Sequence, residues 1–196
     1  MVADAIFRLM PKPMNRSTTT EPDKTAHTRA LCDQALWPEV LAFAQSWHAE
    51  NPADAKALFY AGVALAALGK LAEAEMSYRR ALKLDATDFK TWNNLAALLF
   101  EALKRPGEAV KCLDEALRLN PANPLGWANL ASMNGQLGHH AQARQCAERA
   151  LALEPQMVEA QLHRARSAQM LGQPEVVQSV CESLAALPPE KFQRTR

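Results

Sequence analysis

Residues 92–123 read WNNLAALLFEALKRPGEAVKCLDEALRLNPAN, and this stretch decides the fold. Its apolar residues recur three and four apart, first from Trp92 to Ala102 and then from Ala109 to Leu119. That is the spacing of two amphipathic helices. Lys104-Arg105-Pro106-Gly107 separates them, and Asn120-Pro121 closes the second. Two helices of this length cannot bury their apolar faces alone, so copies of the unit are expected on either side.

Working outward, the copies are present. Ala55–Asp88, Phe89–Asn123, Pro124–Met157 and Val158–Lys191 align with lengths of 34, 35, 34 and 34 residues. The fourth position holds Leu58, Trp92, Trp127 and Gln161. The seventh and eighth hold Ala61-Gly62, Leu95-Ala96, Leu130-Ala131 and Arg164-Ala165, where a very small residue lets a second helix approach closely. Fourteen residues into three of the units stand Gly69, Gly138 and Gly172, the left-handed residue that stops a first helix. Ala74, Ala109, Ala143 and Val177 pack the second helix, and Pro121, Pro155 and Pro189 end it, with Ala86 in the first unit's place. Asp54, Asp88 and Asn123 stand where N-caps belong, and Asn123-Pro124 adds Pro at the first helical position.

These residues resemble the tetratricopeptide repeat (TPR) family. The stretch already quoted carries the resemblance, as does ALFYAGVALAALGKLAEAEMSYRRALKLD at residues 57–85. The match is specific over Ala55–Met157 and weakens in Val158–Lys191, where Gln161 and Arg164 replace expected apolar residues. Extended backwards, the register makes Glu21–Asp54 a degenerate unit, with Trp47 where a small residue is usual; terminal repeats are commonly atypical because they cap the stack. The resemblance implies an all-α, right-handed superhelical solenoid of about five helix-turn-helix repeats, the first and last degenerate. Helices are predicted near 23–35, 38–50, 55–68, 72–84, 89–102, 107–119, 124–137, 141–153, 158–171 and 175–186. The array is set at residues 21–187, between a disordered tail at 1–20 and a short tail at 188–196. The extra residue near Lys104 is expected to enlarge one inter-helix turn.

Composition is ordinary for a soluble globular protein. The chain has 196 residues, 48% apolar and 22% charged. Lys and Arg number 22 against 21 Asp and Glu, a formal charge of +1, without the basic excess of a nucleic-acid binder. Arg144, Arg149, Arg164 and Arg166 are interleaved with Glu148, Glu154 and Glu159, as on a self-paired solvated face. The first twenty residues contain no apolar run long enough for a signal peptide or membrane span. Residues 5–20 lack acids and carry Arg8, Lys12 and Arg16, as transit peptides do, but the disordered tail is the reading adopted. Cys32, Cys112, Cys146 and Cys181 form no C-x-x-C pair and fall within helical segments, a usage that suits the reducing cytoplasm. Neither a phosphate-cradling loop, nor G-x-S-x-G, nor H-E-x-x-H is present, and His139-His140 with His163 lacks an evident carboxylate support. No catalytic residue, metal or cofactor is expected.

The resemblance implies that the first helix of each unit lines a concave groove through offsets two, five, six, nine, twelve and thirteen. The candidate partner-binding residues are Phe59, Tyr60 and Val63, then Lys90, Asn93, Asn94, Ala97 and Phe100, then Asn129 and Gln136, then His163 and Arg166. The carboxylate clamp by which some members of the family hold acidic chaperone C-termini does not fit. Its positions fall on Phe59, Val63, Asn94, Leu125 and Asn129, and neighbouring registers fare no better. Asn94 and Asn129 share the sixth offset of consecutive units, and an amide that both donates and accepts suits a peptide backbone of any sequence. Asn is equally at home on any polar helix face. Phe59, Tyr60 and Phe100 supply an apolar half, although Phe59 suits the inter-repeat core as well.

The function expected is a protein-binding adaptor or chaperone-like scaffold that holds an extended or helical segment of another protein. A bacterial secretion, pilus or envelope-assembly system is one setting. The alternative is a regulatory or targeting subunit of an enzyme system, such as a glycosyltransferase or sulfotransferase. Nucleic-acid binding and membrane insertion are not expected. Val176, Val177, Val180, Leu184 and Leu187 of the last helix lack a following helix and offer a homodimer surface.

Overall fold

The computed structural model describes residues 23–186, and among them the chain is ten α-helices joined by short turns. In order these are α1 (Lys24–Asp33), α2 (Trp37–Glu50), α3 (Ala55–Ala67), α4 (Leu71–Leu84), α5 (Phe89–Ala97), α6 (Pro106–Leu119), α7 (Pro124–Gln136), α8 (His140–Leu153), α9 (Val158–Met170) and α10 (Pro174–Ala185). Each odd-numbered helix pairs with the next as a hairpin. The described residues fall into two compact units, 23–119 with α1–α6 and 120–186 with α7–α10. The tails expected at 1–20 and 188–196, Pro189 and Leu187 lie outside the described residues.

The caps explain the starts. The carboxylates of Asp23, Asp54 and Asp88 accept from the backbone N–H of Thr25 (3.1 Å), Lys56 (2.9 Å) and Lys90 (3.2 Å). Each satisfies a donor that the first turn leaves without a partner. Asn123 has the extended backbone of an N-cap but makes no side-chain capping bond; Pro at the next position already removes one orphan donor.

The stops follow one design. Gly69, Gly138 and Gly172 take φ of 77°, 80° and 68°, and Ala35 takes φ 55° at the equivalent place. The amide one residue further on then donates back five residues: Leu36 to Leu31, Lys70 to Leu65, His139 to Asn134 and Gln173 to Ala168. This is the Schellman closure of a helix. In the third repeat the left-handed residue is Lys104, φ 54°, and Arg105 N–H reaches back six residues to Leu99 at 2.8 Å. The extra residue is therefore absorbed inside the helix, where α5 runs on as a π-helical turn, Leu98–Ala102. The connecting turn is not lengthened. A π turn keeps both flanking helical registers on the core while adding one residue.

The cores are built from small residues facing large ones. An added Cβ at Gly62 would stand 2.7 Å from two ring carbons of Tyr78, so α3 and α4 approach in a way that only glycine permits. Tyr78 is wholly buried. In the first unit, Leu95, Leu98, Leu99 and Leu113 are buried together with Ala74, Ala81, Ala109 and Ala116. In the second, Ala128, Ala150, Met157 and Ala160 form a cluster with Leu125, Trp127 and Leu151 packed on it. Trp47, large where the repeat wants a small residue, is buried; its Nε1 donates to Asp54 at 3.0 Å and so braces the cap of α3. On the outside, Arg105 and Arg79 both bridge Glu75 of α4 to Glu108 of α6.

Candidate functional site

In the first unit, eight of the candidate residues lie on α3, α5 and the π turn. Phe59, Tyr60 and Val63 are buried on α3, and Asn93, Asn94, Ala97 and Phe100 are buried on α5 and its extension. Lys90 is half-buried, its ammonium 6.0 Å from the centre of the Phe89 ring.

Phe59 and Tyr60 belong to an aromatic chain that runs through the unit. His27 meets Phe43 at 4.7 Å between ring centres, Phe43 meets Trp47 at 6.4 Å, and Trp47 stacks on Tyr60 at 6.2 Å. Tyr60 stands edge-on to Phe59 at 5.1 Å, and Phe59 is 6.2 Å from Tyr78. Such rings attract by edge-to-face and offset contacts over these distances. The Tyr60 hydroxyl accepts from Arg29 Nε at 3.3 Å, and burial pushes its pKa up. Phe59 thus makes the core contact anticipated as one of its two readings.

Asn94 is the chemically exposed member in another sense. Its side chain is 1% accessible, yet its Oδ1 has no hydrogen-bond donor. A buried acceptor left unpaired costs about 1–3 kcal/mol, so it is either a defect or a reserved contact. Spacing pairs Asn94 with Asn129 at the sixth offset, but nothing in the sequence shows that this oxygen is buried without a donor.

In the second unit, Gln136 on α7 and His163 and Arg166 on α9 line one small cleft with Ser132, His140 and Ser167. Structure brings these three candidates together; the sequence had only placed them on one side of the repeat. Gln136 Nε2 lies 3.3 Å from the Ser132 hydroxyl. Burial, aided by Arg166, lowers the pKa of His163, against a smaller opposing effect of Glu159. Asn129 is half-buried on α7. Trp127 nearby donates through Nε1 to Pro121 O at 2.9 Å and carries Arg149 over its ring at 5.1 Å.

Among the described residues no group of three or more His, Cys, Asp or Glu side chains could hold a metal ion. No described helix is long and apolar enough to cross a membrane. All four cysteines are free; burial raises Cys32 to about 11 and also raises Cys112, which makes both poor nucleophiles.

Comparison with known proteins gives the same architecture a name. Three tetratricopeptide repeat models match residues 41–89, 95–133 and 126–157. The chain belongs to the tetratricopeptide repeat family. A TPR-containing protein of Caenorhabditis elegans, trd-1, is 33% identical over 93 residues, which are 47% of this chain and 12% of that protein. Among solved structures, a crystal structure of MamA superposes with a TM-score of 0.72 at 16% identity, over 85% of this chain and 95% of that one. YrrB, described as a TPR protein with an unusual peptide-binding site, gives 0.67 at 16% identity, over 87% and 88%. The first TPR module of Spaghetti (RPAP3), bound to the HSP90 peptide SRMEEVD, gives 0.58 at 25% identity, over 61% and 94%. At these identities the likeness is one of fold, a solenoid of helical repeats.

Proposed function

We propose that this TPR protein is an adaptor that holds a segment of a partner polypeptide on the first-helix face of its repeats, with α3 and α5 as the principal site. The observation that carries the reading is the buried, unpartnered Oδ1 of Asn94 among the apolar residues Ala97 and Phe100 of the same element. A backbone N–H of an extended or helical partner would satisfy it, and aromatic groups beside it would take the partner's apolar side chains. Peptide binding by YrrB and by the SRMEEVD-bound module supports the class of ligand. An acidic C-terminus is not the ligand proposed here, because Phe59 and Val63 stand where the clamp needs cation and amide. Asn129, Gln136, His163 and Arg166 form a secondary contact region in the second unit.

Reduced, buried thiols at Cys32, Cys112 and Cys146 support a cytoplasmic setting. The Ala- and Arg-rich composition suits a bacterial source, and by analogy with other arrays of the family the setting proposed is secretion, pilus or envelope assembly. Pairing of two copies through α10 is the second part of the proposal, because Val176, Val177 and Leu184 remain half-buried while Val180 alone is fully covered.

The test is capture of partners from source-cell lysate by the native chain and by an Asn94→Ala/Phe100→Ala variant of equal far-UV circular dichroism, followed by binding of the purified partner. Loss of the partner with the variant is expected. Equal capture would remove this face from consideration.

A further inference from the structure

Six polar side chains of the second unit meet in one small cleft, and among the described residues no carboxylate lines it. Ser132 and Gln136 come from α7, His140 from α8, and His163, Arg166 and Ser167 from α9, which packs on both other helices. Among the described residues Arg166 makes no ion pair, and the side chains of His140, His163 and Ser167 make no hydrogen bond. Ser167 is only 3% exposed and lines the cleft with that unbonded hydroxyl. Ser132 Oγ accepts from Gln136 Nε2 at 3.3 Å, which leaves its own proton to donate. Burial lowers the His163 pKa and Arg166 lowers it further, against Glu159, so a cation stands close to the imidazole. His140 opens α8, which sets the cleft at the positive end of that helix's dipole. A guanidinium, two imidazoles and two hydroxyls converging without a carboxylate are a donor set for an oxyanion.

The surface on either side of Arg166 is apolar. Leu162 and Met170 stand four residues before and after it on α9, and they are 50% and 62% exposed. Four residues of helix rise about 6 Å. Alternate residues of an extended strand, which point the same way, are roughly 7 Å apart. We propose that the cleft binds an oxyanion carried by a side chain of an extended partner segment, whose apolar side chains two residues before and after the anion seat on Leu162 and Met170. The anion is a carboxylate or a phosphoryl group, since both accept from this donor set. The clamp set aside above grips a C-terminus from first helices alone. This cleft takes His140 from a second helix, and apolar residues on both sides suit an anion within a segment. The inference rests on the peptide-binding reading and makes its second-unit contact region specific.

The first experiment follows the histidine ring signals of the full chain by NMR, assigned with His140→Gln and His163→Gln, during titration with inorganic phosphate or acetate. Chloride keeps the ionic strength matched, and the pH is fixed. Saturable shifts are expected at His140 and His163 and not at His27 or His48 of the first unit. A response to phosphate alone identifies a phosphoryl group, and a response to acetate admits a carboxylate. Arg166 is exposed, so Arg166→Gln should keep the fold and weaken the ion about tenfold, with roughly threefold for Ser167→Ala. No saturable shift at His140 and His163, or an unchanged affinity in Arg166→Gln, would overturn the proposal. The second experiment measures the anisotropy of labelled peptides GLSXSLG, with X phosphoserine, aspartate or asparagine. The better anionic peptide should bind at least about tenfold more tightly than the free ion and than the asparagine peptide. Leu162→Ser/Met170→Ser should remove that gain and leave affinity for the ion unchanged. An anionic peptide no tighter than the ion, or one indifferent to the double exchange, would also overturn it. Either failure leaves capture through Asn94 and Phe100 standing, and failure of that capture leaves the cleft as it is.

Discussion

Gln161 Nε2 donates to the carbonyl of Pro155 at 3.3 Å, six residues back, and in doing so takes the part that tryptophan plays in the two preceding repeats. Trp92 Nε1 donates to Ala86 O and Trp127 Nε1 to Pro121 O, each at 2.9 Å and each six residues back. The bond ties the first turn of a repeat to the end of the previous one. Gln161 keeps the donor and gives up the ring. Gln161→Leu should therefore lose about 0.5–1.5 kcal/mol of stability, while Gln161→Trp should equal or exceed the native chain. Urea unfolding of both variants checks this; a Leu variant as stable as the native chain would show the bond to be idle.

Gly62→Ala should destabilise by about 1–3 kcal/mol, because the new methyl meets the fully buried Tyr78 ring at 2.7 Å. The loss should shrink in a Tyr78→Leu background, where the obstruction is gone. A double-mutant cycle by thermal unfolding reads the coupling directly.

Lys104→Gly and Ala35→Gly should each stabilise, or at least not destabilise, since both side chains sit at positive φ. Left-handed backbone costs a non-glycine residue about 1–2 kcal/mol, offset in part by the greater chain entropy of glycine. Gly138→Ala should show the reverse, a loss near 1 kcal/mol, by chemical denaturation.

Cys181 is exposed, whereas Cys32, Cys112 and Cys146 are buried. Iodoacetamide on the native chain should modify Cys181 first, and Cys32, its thiol pushed up to about 11, only on unfolding. Intact-mass analysis over time should show one adduct before any other.

The lowered pKa of His163 has a defined sign. As pH falls through the ordinary value near 6.5, the unfolded chain takes up a proton that the folded imidazole, buried and beside Arg166, still refuses. Stability contributed by this group is therefore full above 6.5 and declines as pH falls from there toward the folded value. His163→Gln should flatten that part of the stability–pH profile measured by denaturant unfolding; an unaltered slope would refute the assignment.

Much of the architecture was legible in the chain. Asp54 and Asp88, the glycines at 69, 138 and 172, and the prolines after α6 and α8 are local devices whose backbone preferences act whatever surrounds them, and the helices begin and end within two residues of where these place them. Gly62 signalled close packing, and Tyr78 supplies it. The extra residue of the third repeat was visible by counting. Its destination was not, because a longer turn and a π turn have the same length in sequence.

The site was legible only as a set of offsets. The family resemblance put Asn94, Phe100, His163 and Arg166 on one side of their repeats, as offsets along a single helix. Whether that side is bare on α9 or closed on α3 and α5, that the Asn94 oxygen lacks a donor, and that Gln161 can replace tryptophan all depend on what lies across from each side chain. The sequence by itself determined the repeat, its caps and its stops, through torsional preference and short-range hydrogen bonding. Only the tertiary structure decided accessibility and pairing, because desolvation is a sum over neighbours distant in the chain.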